Sequence, residues 1–300
     1  MRTTRVLAGA AAAAMALTMA ACGDSGDSGG GGGGGDTLAK IKEDGVIKVG
    51  IAGEKPYSFM EDGELKGATI AIHKKVFKEM GVDKVEGVQT EWGSLIPGLN
   101  AGRYDVVSAG MSILPDRCKQ ADFGHPEIMY TTALMTKKGN PEGVQDLQDV
   151  ADKKLKIAVM SGAIESGYAD KLGIDKLEVG SPQDGMEAVT RGRVDAFALT
   201  GISLRTLAKD NKDADVSVTK PFVAVVDGKK QVGAGATVFR KDDDKLRKAY
   251  NKEIDKITGD KQAYLDVIGK YGFTDAERPK GELTTEQLCK GELPDATASE

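Results

Sequence analysis

The sequence predicts an α/β protein of two interleaved lobes, each a mostly parallel sheet flanked by helices, joined by a two-strand hinge. Short apolar runs alternate with amphipathic stretches through residues 36–300, as parallel sheets covered on both faces require. Two polar, turn-rich segments break the alternation, as crossings between lobes would. The stretch is also long enough for two lobes of ordinary size.

The elements follow in chain order. Val46 to Ala52 is an apolar run with turn signals on both sides, the pattern of a buried strand. Ile72, Val76 and Met80 recur at i+4 and stop at Gly81, which predicts an amphipathic helix with a glycine end signal. Val85 to Glu91, Asp105 to Ser108, Ala133 to Thr136, Lys156 to Met160 and Asp195 to Leu199 repeat the strand pattern. Helical stretches are expected at about 94–102, 163–172, 182–191 and 201–209. Lys137 to Pro141 is read as leading out of the first lobe, and Asp227 to Gly235 as leading back into a final strand, Ala236 to Arg240. Helices near 242–258 and 261–270 then close the first lobe. The expected organisation is lobe 1 at 36–137 with 234–300, and lobe 2 at 138–233. A cleft between such lobes is the default ligand site.

Residues 1–21 carry Arg2 and Arg5, an apolar run from Val6 to Ala21 and small residues at its end, the layout of a secretory signal peptide. The run is too short to span a bilayer. Cys22 directly after Ala20-Ala21 resembles a bacterial lipoprotein box, which implies a diacylglycerol anchor on its thiol. Residues 23–35 contain only Gly, Asp and Ser and end in seven consecutive glycines, so 22–35 is read as a lipidated cysteine and a flexible tether. The chain is then extracytoplasmic and held to the cell membrane through lipid alone.

Composition limits the chemistry. The 300 residues are 40% hydrophobic and 29% charged with a net charge of −5, which gives no basic footprint for nucleic acid. Three cysteines and two histidines leave little material for a metal cluster or a histidine-based catalytic set. P-loop, dinucleotide, HExxH and CxxC patterns are absent from the sequence. His73 is placed opposite its helix's apolar stripe and His125 in a loop, and both are read as solvated surface side chains. No catalytic residue, metal or cofactor is expected.

Glu54-Lys55-Pro56-Tyr57-Ser58-Phe59, Glu91-Trp92-Gly93-Ser94-Leu95-Ile96-Pro97-Gly98-Leu99, Gly102-Arg103-Tyr104-Asp105 and Ser108 to Cys118 together resemble family 3 extracellular solute-binding proteins of ABC importers. The resemblance spans residues 36–285 and implies the type II periplasmic-binding-protein fold. Within the family, the IPGL and PxRC segments, Lys138 to Pro141, Tyr271-Gly272-Phe273 and Leu288-Cys289 are similar to ectoine/5-hydroxyectoine-binding proteins. That similarity implies a ligand set of Glu54, Tyr57, Trp92, Gly110, Ser112, Arg117, Ile164 and Thr200.

These residue types suit a small zwitterion with a delocalised amidinium and one carboxylate. Arg117 can grip the carboxylate through a bidentate fork. Tyr57 and Trp92 can face the cation, and Glu54 can accept from its N–H groups. Ser161 to Glu165 joins a strand to a helix, so its backbone N–H groups can meet the carboxylate. Ser112 stands where the ectoine proteins commonly carry a third aromatic. Around Leu199 to Ser203 no carboxylate is found to hold an α-ammonium, which argues against a standard amino acid.

Cys118 and Cys289 remain as an even pair in an oxidising compartment, and a disulfide tying the C-terminal tail to lobe 1 is expected. The resulting expectation is a monomeric, lipid-tethered receptor that closes on ectoine or 5-hydroxyectoine and delivers it to membrane permease subunits. The alternatives are a receptor for polar amino acids or betaine-type solutes, and an exported dehydratase-like enzyme on the same fold with Glu54 as its acid or base.

Overall fold

The computed structural model describes residues 36–281 and 283–294; the expected signal segment, Cys22 and the tether lie outside them. Two sheets organise the described residues. In the first, Lys84–Gln89, Val46–Ile51, Val106–Ser112, Gly233–Phe239 and Asp122–Phe123 lie side by side, and Ile128–Tyr130 also pairs with Gly233–Phe239. The second runs Asp175–Val179, Lys156–Met160, Ala196–Thr200, Thr132–Lys137, Val216–Val218. Every residue of Val106–Ser112, Gly233–Phe239 and Ala196–Thr200 is buried, which is why these central strands are nearly unbroken apolar or small-residue runs.

Each sheet is mixed rather than mostly parallel. Three neighbouring strands are parallel in each, connected through helices that pack on the sheet. The return strand Gly233–Phe239 is antiparallel to Val106–Ser112, and Thr132–Lys137 is antiparallel to Ala196–Thr200. These two strands enter their sheets directly from the crossings without a helix, so they run against their neighbours. Thr132–Lys137 also corrects the expected exit: it belongs to the second sheet, and the chain crosses between Tyr130 and Thr132 instead of after Lys137. On the way back the strand begins at Gly233. A side chain at Gly235 would meet the Gly110 carbonyl at 2.5 Å, so only glycine lets these backbones approach.

Helices fall near their expected places, at Leu95–Asn100, Ile164–Leu172, Pro182–Thr190, Gly201–Asp210, Asp244–Thr258 and Lys261–Ile268. The helix Ala68–Glu79 is covered on more than its apolar stripe, because Asp244–Thr258 and Lys261–Ile268 pack over it. His73 is therefore fully buried, contrary to the surface placement expected from its position off the stripe. Its Nε2 lies 2.6 Å from Thr237 Oγ1, Phe77 and Tyr250 stack edge-on against it, and burial pushes its pKa down to about 3. His125 is half exposed beside Asp255. Cys118 and Cys289 form a disulfide that staples the short helix Thr285–Lys290 to Pro115–Cys118.

Candidate functional site

The carboxyl ends of the parallel strands face each other across the two lobes, and the loops that leave them line one cavity. After Val46–Ile51 the chain turns through Glu54 and Tyr57. Trp92 sits in a short turn before Leu95–Asn100, and the end of Val106–Ser112 supplies Gly110 and Ser112. The second lobe supplies Met160 and Thr200 from its strand ends, and Ala163, Ile164 and Glu165 from the first turn of Ile164–Leu172. Seven of the eight residues expected from sequence thus share one lining: Glu54, Tyr57, Trp92, Gly110, Ser112, Ile164 and Thr200.

Arg117 stands at the edge of this cavity. Its guanidinium donates to the Ser112 carbonyl at 3.0 Å and the Gly162 carbonyl at 2.8 Å, and it lies 5.7 Å from the Trp92 ring centroid. Burial pulls its pKa down from the ordinary value. Two of the five guanidinium N–H groups are taken by backbone carbonyls, and the remaining donors can still meet an incoming carboxylate.

Several hydrogen bonds bridge the lobes. Tyr57 OH donates to Thr200 Oγ1 at 3.2 Å and Ser203 donates to Glu54 Oε1 at 2.6 Å, linked within the second lobe by Thr200 donating to Ser203 at 3.0 Å. Trp92 Nε1 donates to the Gly162 carbonyl at 3.2 Å, and outside the cavity Lys55 reaches Asp210 at 3.4 Å. The arrangement is a closed cleft. Gly110 is required in it: its φ is 58°, and a Cβ there would press on the Tyr57 ring at 2.8 Å. Tyr57 in turn packs edge-on against Tyr130 and Phe273.

Two side chains in the cavity were not expected from the sequence, although the backbone of one was. Tyr130, the last residue before the crossing, enters the cavity, and its hydroxyl is hydrogen-bonded to the Ser112 hydroxyl. It brings an aromatic ring to the wall where the sequence has Ser112. The second is Glu165, which is 1% exposed and lines the cavity with an Oε1 that has no hydrogen-bond partner. The strand end around Leu199 to Ser203 indeed supplies no carboxylate, but what it implies against a standard amino acid does not hold for the whole lobe, because the helix start brings one, Glu165. Its signal was its place in the first turn of a helix that opens at a strand's carboxyl end.

Electrostatically the cavity is unusual for holding two buried acids. Burial raises Glu54 to about 7 against the opposing Ser203 hydrogen bond. Burial raises Glu165 to about 8, its own backbone N–H opposes this, and the Glu54 charge adds to it. Tyr57 and Tyr130 are pushed further up by burial and stay neutral. Among the described residues no group of three or more His, Cys, Asp or Glu is placed to hold a metal ion, and no helix is long and apolar enough to cross a membrane.

A family model for bacterial extracellular solute-binding proteins, family 3, matches residues 47–267. The chain is 34% identical over 261 residues to the probable amino-acid ABC transporter periplasmic-binding protein y4tE of Sinorhizobium fredii (strain NBRC 101917 / NGR234), covering 84% of this chain and 86% of that protein. It is 26% identical over 225 residues to the L-cystine-binding protein TcyJ of Escherichia coli (strain K12), covering 74% and 81%. Among solved structures, EhuB in complex with hydroxyectoine matches with a TM-score of 0.75 at 32% identity, covering 85% of this chain and 98% of that one. The ancestral amino acid-binding protein AncCDT-1, a precursor of cyclohexadienyl dehydratase, matches with a TM-score of 0.68 at 27% identity, covering 79% and 98%.

Proposed function

The chain belongs to the bacterial extracellular solute-binding proteins of family 3, with their two-lobed type II periplasmic-binding-protein fold, and we propose that its solute is an ectoine-type zwitterion. The observation that carries this reading is the pairing of opposite chemistries in one interlobe cavity. Glu54, Tyr57 and Trp92 offer a carboxylate and two ring faces to a delocalised cation, while Arg117 at the edge offers a fork to a carboxylate. The first-turn amides of Ile164–Leu172 add positive potential on the second lobe. The likeness to EhuB, whose structure holds hydroxyectoine, supports the same solute class. Contacts from both lobes favour the closed state, which the permease subunits of the ABC importer receive. Calorimetric titration with ectoine and hydroxyectoine against glycine betaine and polar amino acids tests the assignment; saturation by the ectoines alone is expected.

The receptor acts as a monomer held to the membrane by lipid on Cys22, with residues 23–35 as its tether. Support comes from the charged start, the apolar run and the Ala20-Ala21-Cys22 sequence. Cys22→Ser should abolish metabolic labelling by palmitate and release the protein from the membrane fraction.

A further inference from the structure

Glu54 and Glu165 come from opposite lobes, both are buried, and both line the same cavity. Their circumstances differ. Glu54 receives the Ser203 hydroxyl at 2.6 Å, whereas Glu165 has a bare Oε1. The charged and titratable groups around Glu165 are Glu54 from the loop after the first strand, with Tyr57 beside it, Arg117 from Pro115–Cys118, Tyr130 from the crossing, and Tyr168 from its own helix. Arg117 is the one cation of this set; two of its five N–H groups donate to the Ser112 and Gly162 carbonyls, and the others are left for a carboxylate of the solute.

A net-neutral zwitterion brings one positive and one negative group. Its carboxylate engages Arg117 and its cation engages Glu54. An ionised Glu165 would then be a buried negative charge with no cation of its own and one oxygen without a hydrogen bond, which is costly. Resting on the proposed zwitterionic ligand, we propose that Glu165 takes up a proton as the cleft closes and acts as a specificity residue, its neutral O–H donating to an acceptor atom of the solute. A solute with a net positive charge would leave Glu165 ionised instead. This residue thus sets the ligand's charge state and couples capture to pH. The direction follows from the groups named: the proton is bound more tightly in the closed cleft than in an open one, so capture of a zwitterion strengthens as pH falls.

The test is calorimetry with hydroxyectoine in buffers of different ionisation enthalpy, on the unmutated protein and on Glu165→Gln. Uptake of about one proton per ligand near neutral pH is expected, with affinity weakening by up to about tenfold per unit between about pH 6 and 8. Glu165→Gln should bind without proton uptake and without that pH dependence. Absence of proton uptake by the unmutated protein, which needs no variant to fold, overturns the proposal. So does a loss of tenfold or more in Glu165→Gln near neutral pH, the mark of an ionised Glu165 pairing with a cation. If hydroxyectoine does not bind, L-glutamine and L-arginine separate the two readings. Glutamine binding with proton uptake removes the ectoine-type ligand and keeps the role of Glu165, whereas arginine binding without uptake overturns both.

Discussion

Trp92 of the first lobe and Gly162 of the second are joined across the cleft, the indole Nε1 donating to the glycine carbonyl at 3.2 Å. Arg117 donates to the same carbonyl at 2.8 Å while lying against the indole face. Gly162 presents that carbonyl from a φ of 75°, in the left-handed region that favours glycine. The three residues form a clasp between the lobes. Trp92→Phe keeps a ring face and removes the donor, and should weaken solute binding by about 1 kcal/mol; Trp92→Ala loses the ring as well and should cost more. Calorimetry on the two variants checks the order.

Arg117→Ala should abolish measurable capture, with a loss of at least about 2 kcal/mol, because a desolvated carboxylate is left without its charged partner. Arg117→Lys should not restore it, since an ammonium offers no planar fork and cannot reproduce the guanidinium's stacking on Trp92. Equal affinity in the Lys variant would remove the fork from the account.

Ser203→Ala removes the hydroxyl that spans from the second lobe to Glu54. The carboxylate then loses its cross-lobe hydrogen bond and Thr200 loses its acceptor within the second lobe, so affinity should fall by about 1 kcal/mol with a smaller loss of stability from the Thr200 bond. A melting shift with unchanged affinity would place the bond's role in folding.

His73 is held neutral in the first lobe, its pKa pushed to about 3 by burial against an ordinary value of 6.5. Its neutral form is favoured by folding, so stability from this site is fully present above 6.5 and declines as pH falls toward 3. His73→Gln lacks that titration. Denaturant melts should therefore show the unmutated protein losing stability relative to the variant as pH is lowered through this window; a constant difference would contradict the buried neutral imidazole.

The Cys118–Cys289 bond closes a loop of 171 residues. Replacing both cysteines by serine should lower stability by about 3 kcal/mol while leaving solute affinity near its original value, since neither sulfur lines the cavity. Thiol titration of the unreduced protein after removal of residues 1–35 should find no reactive thiol.

Much of the fold was legible because alternation of apolar runs and helical stripes is a local signal. Lys156–Met160 was bounded to the residue, and the helix expected at 163–172 formed at Ile164–Leu172. Strand direction was not local. Thr132–Lys137 reads as a buried strand in either lobe, and only pairing with Ala196–Thr200 assigns it to the second. His73 shows the same limit: a helical wheel records which face is apolar, not that two later helices cover the others. In the site, Glu54, Tyr57, Trp92 and Gly110 were legible through motif resemblance. Tyr130 lies in no motif, and the sequence singles out Glu165 only within Ser161 to Glu165 for its backbone N–H groups; the approach of both side chains to the cavity depends on how the lobes face each other.

The central claim is that one interlobe cavity closes on an ectoine-type zwitterion. Trp92 is the single tryptophan of the chain and belongs to the cross-cleft clasp, so its fluorescence reports closure directly. Titration of the protein lacking residues 1–35 with ectoine, hydroxyectoine, glycine betaine and a panel of polar and cationic amino acids should give a saturable change with the ectoines alone. A saturable change with amino acids and none with the ectoines would contradict the ligand assignment while leaving the family and the closing cleft in place.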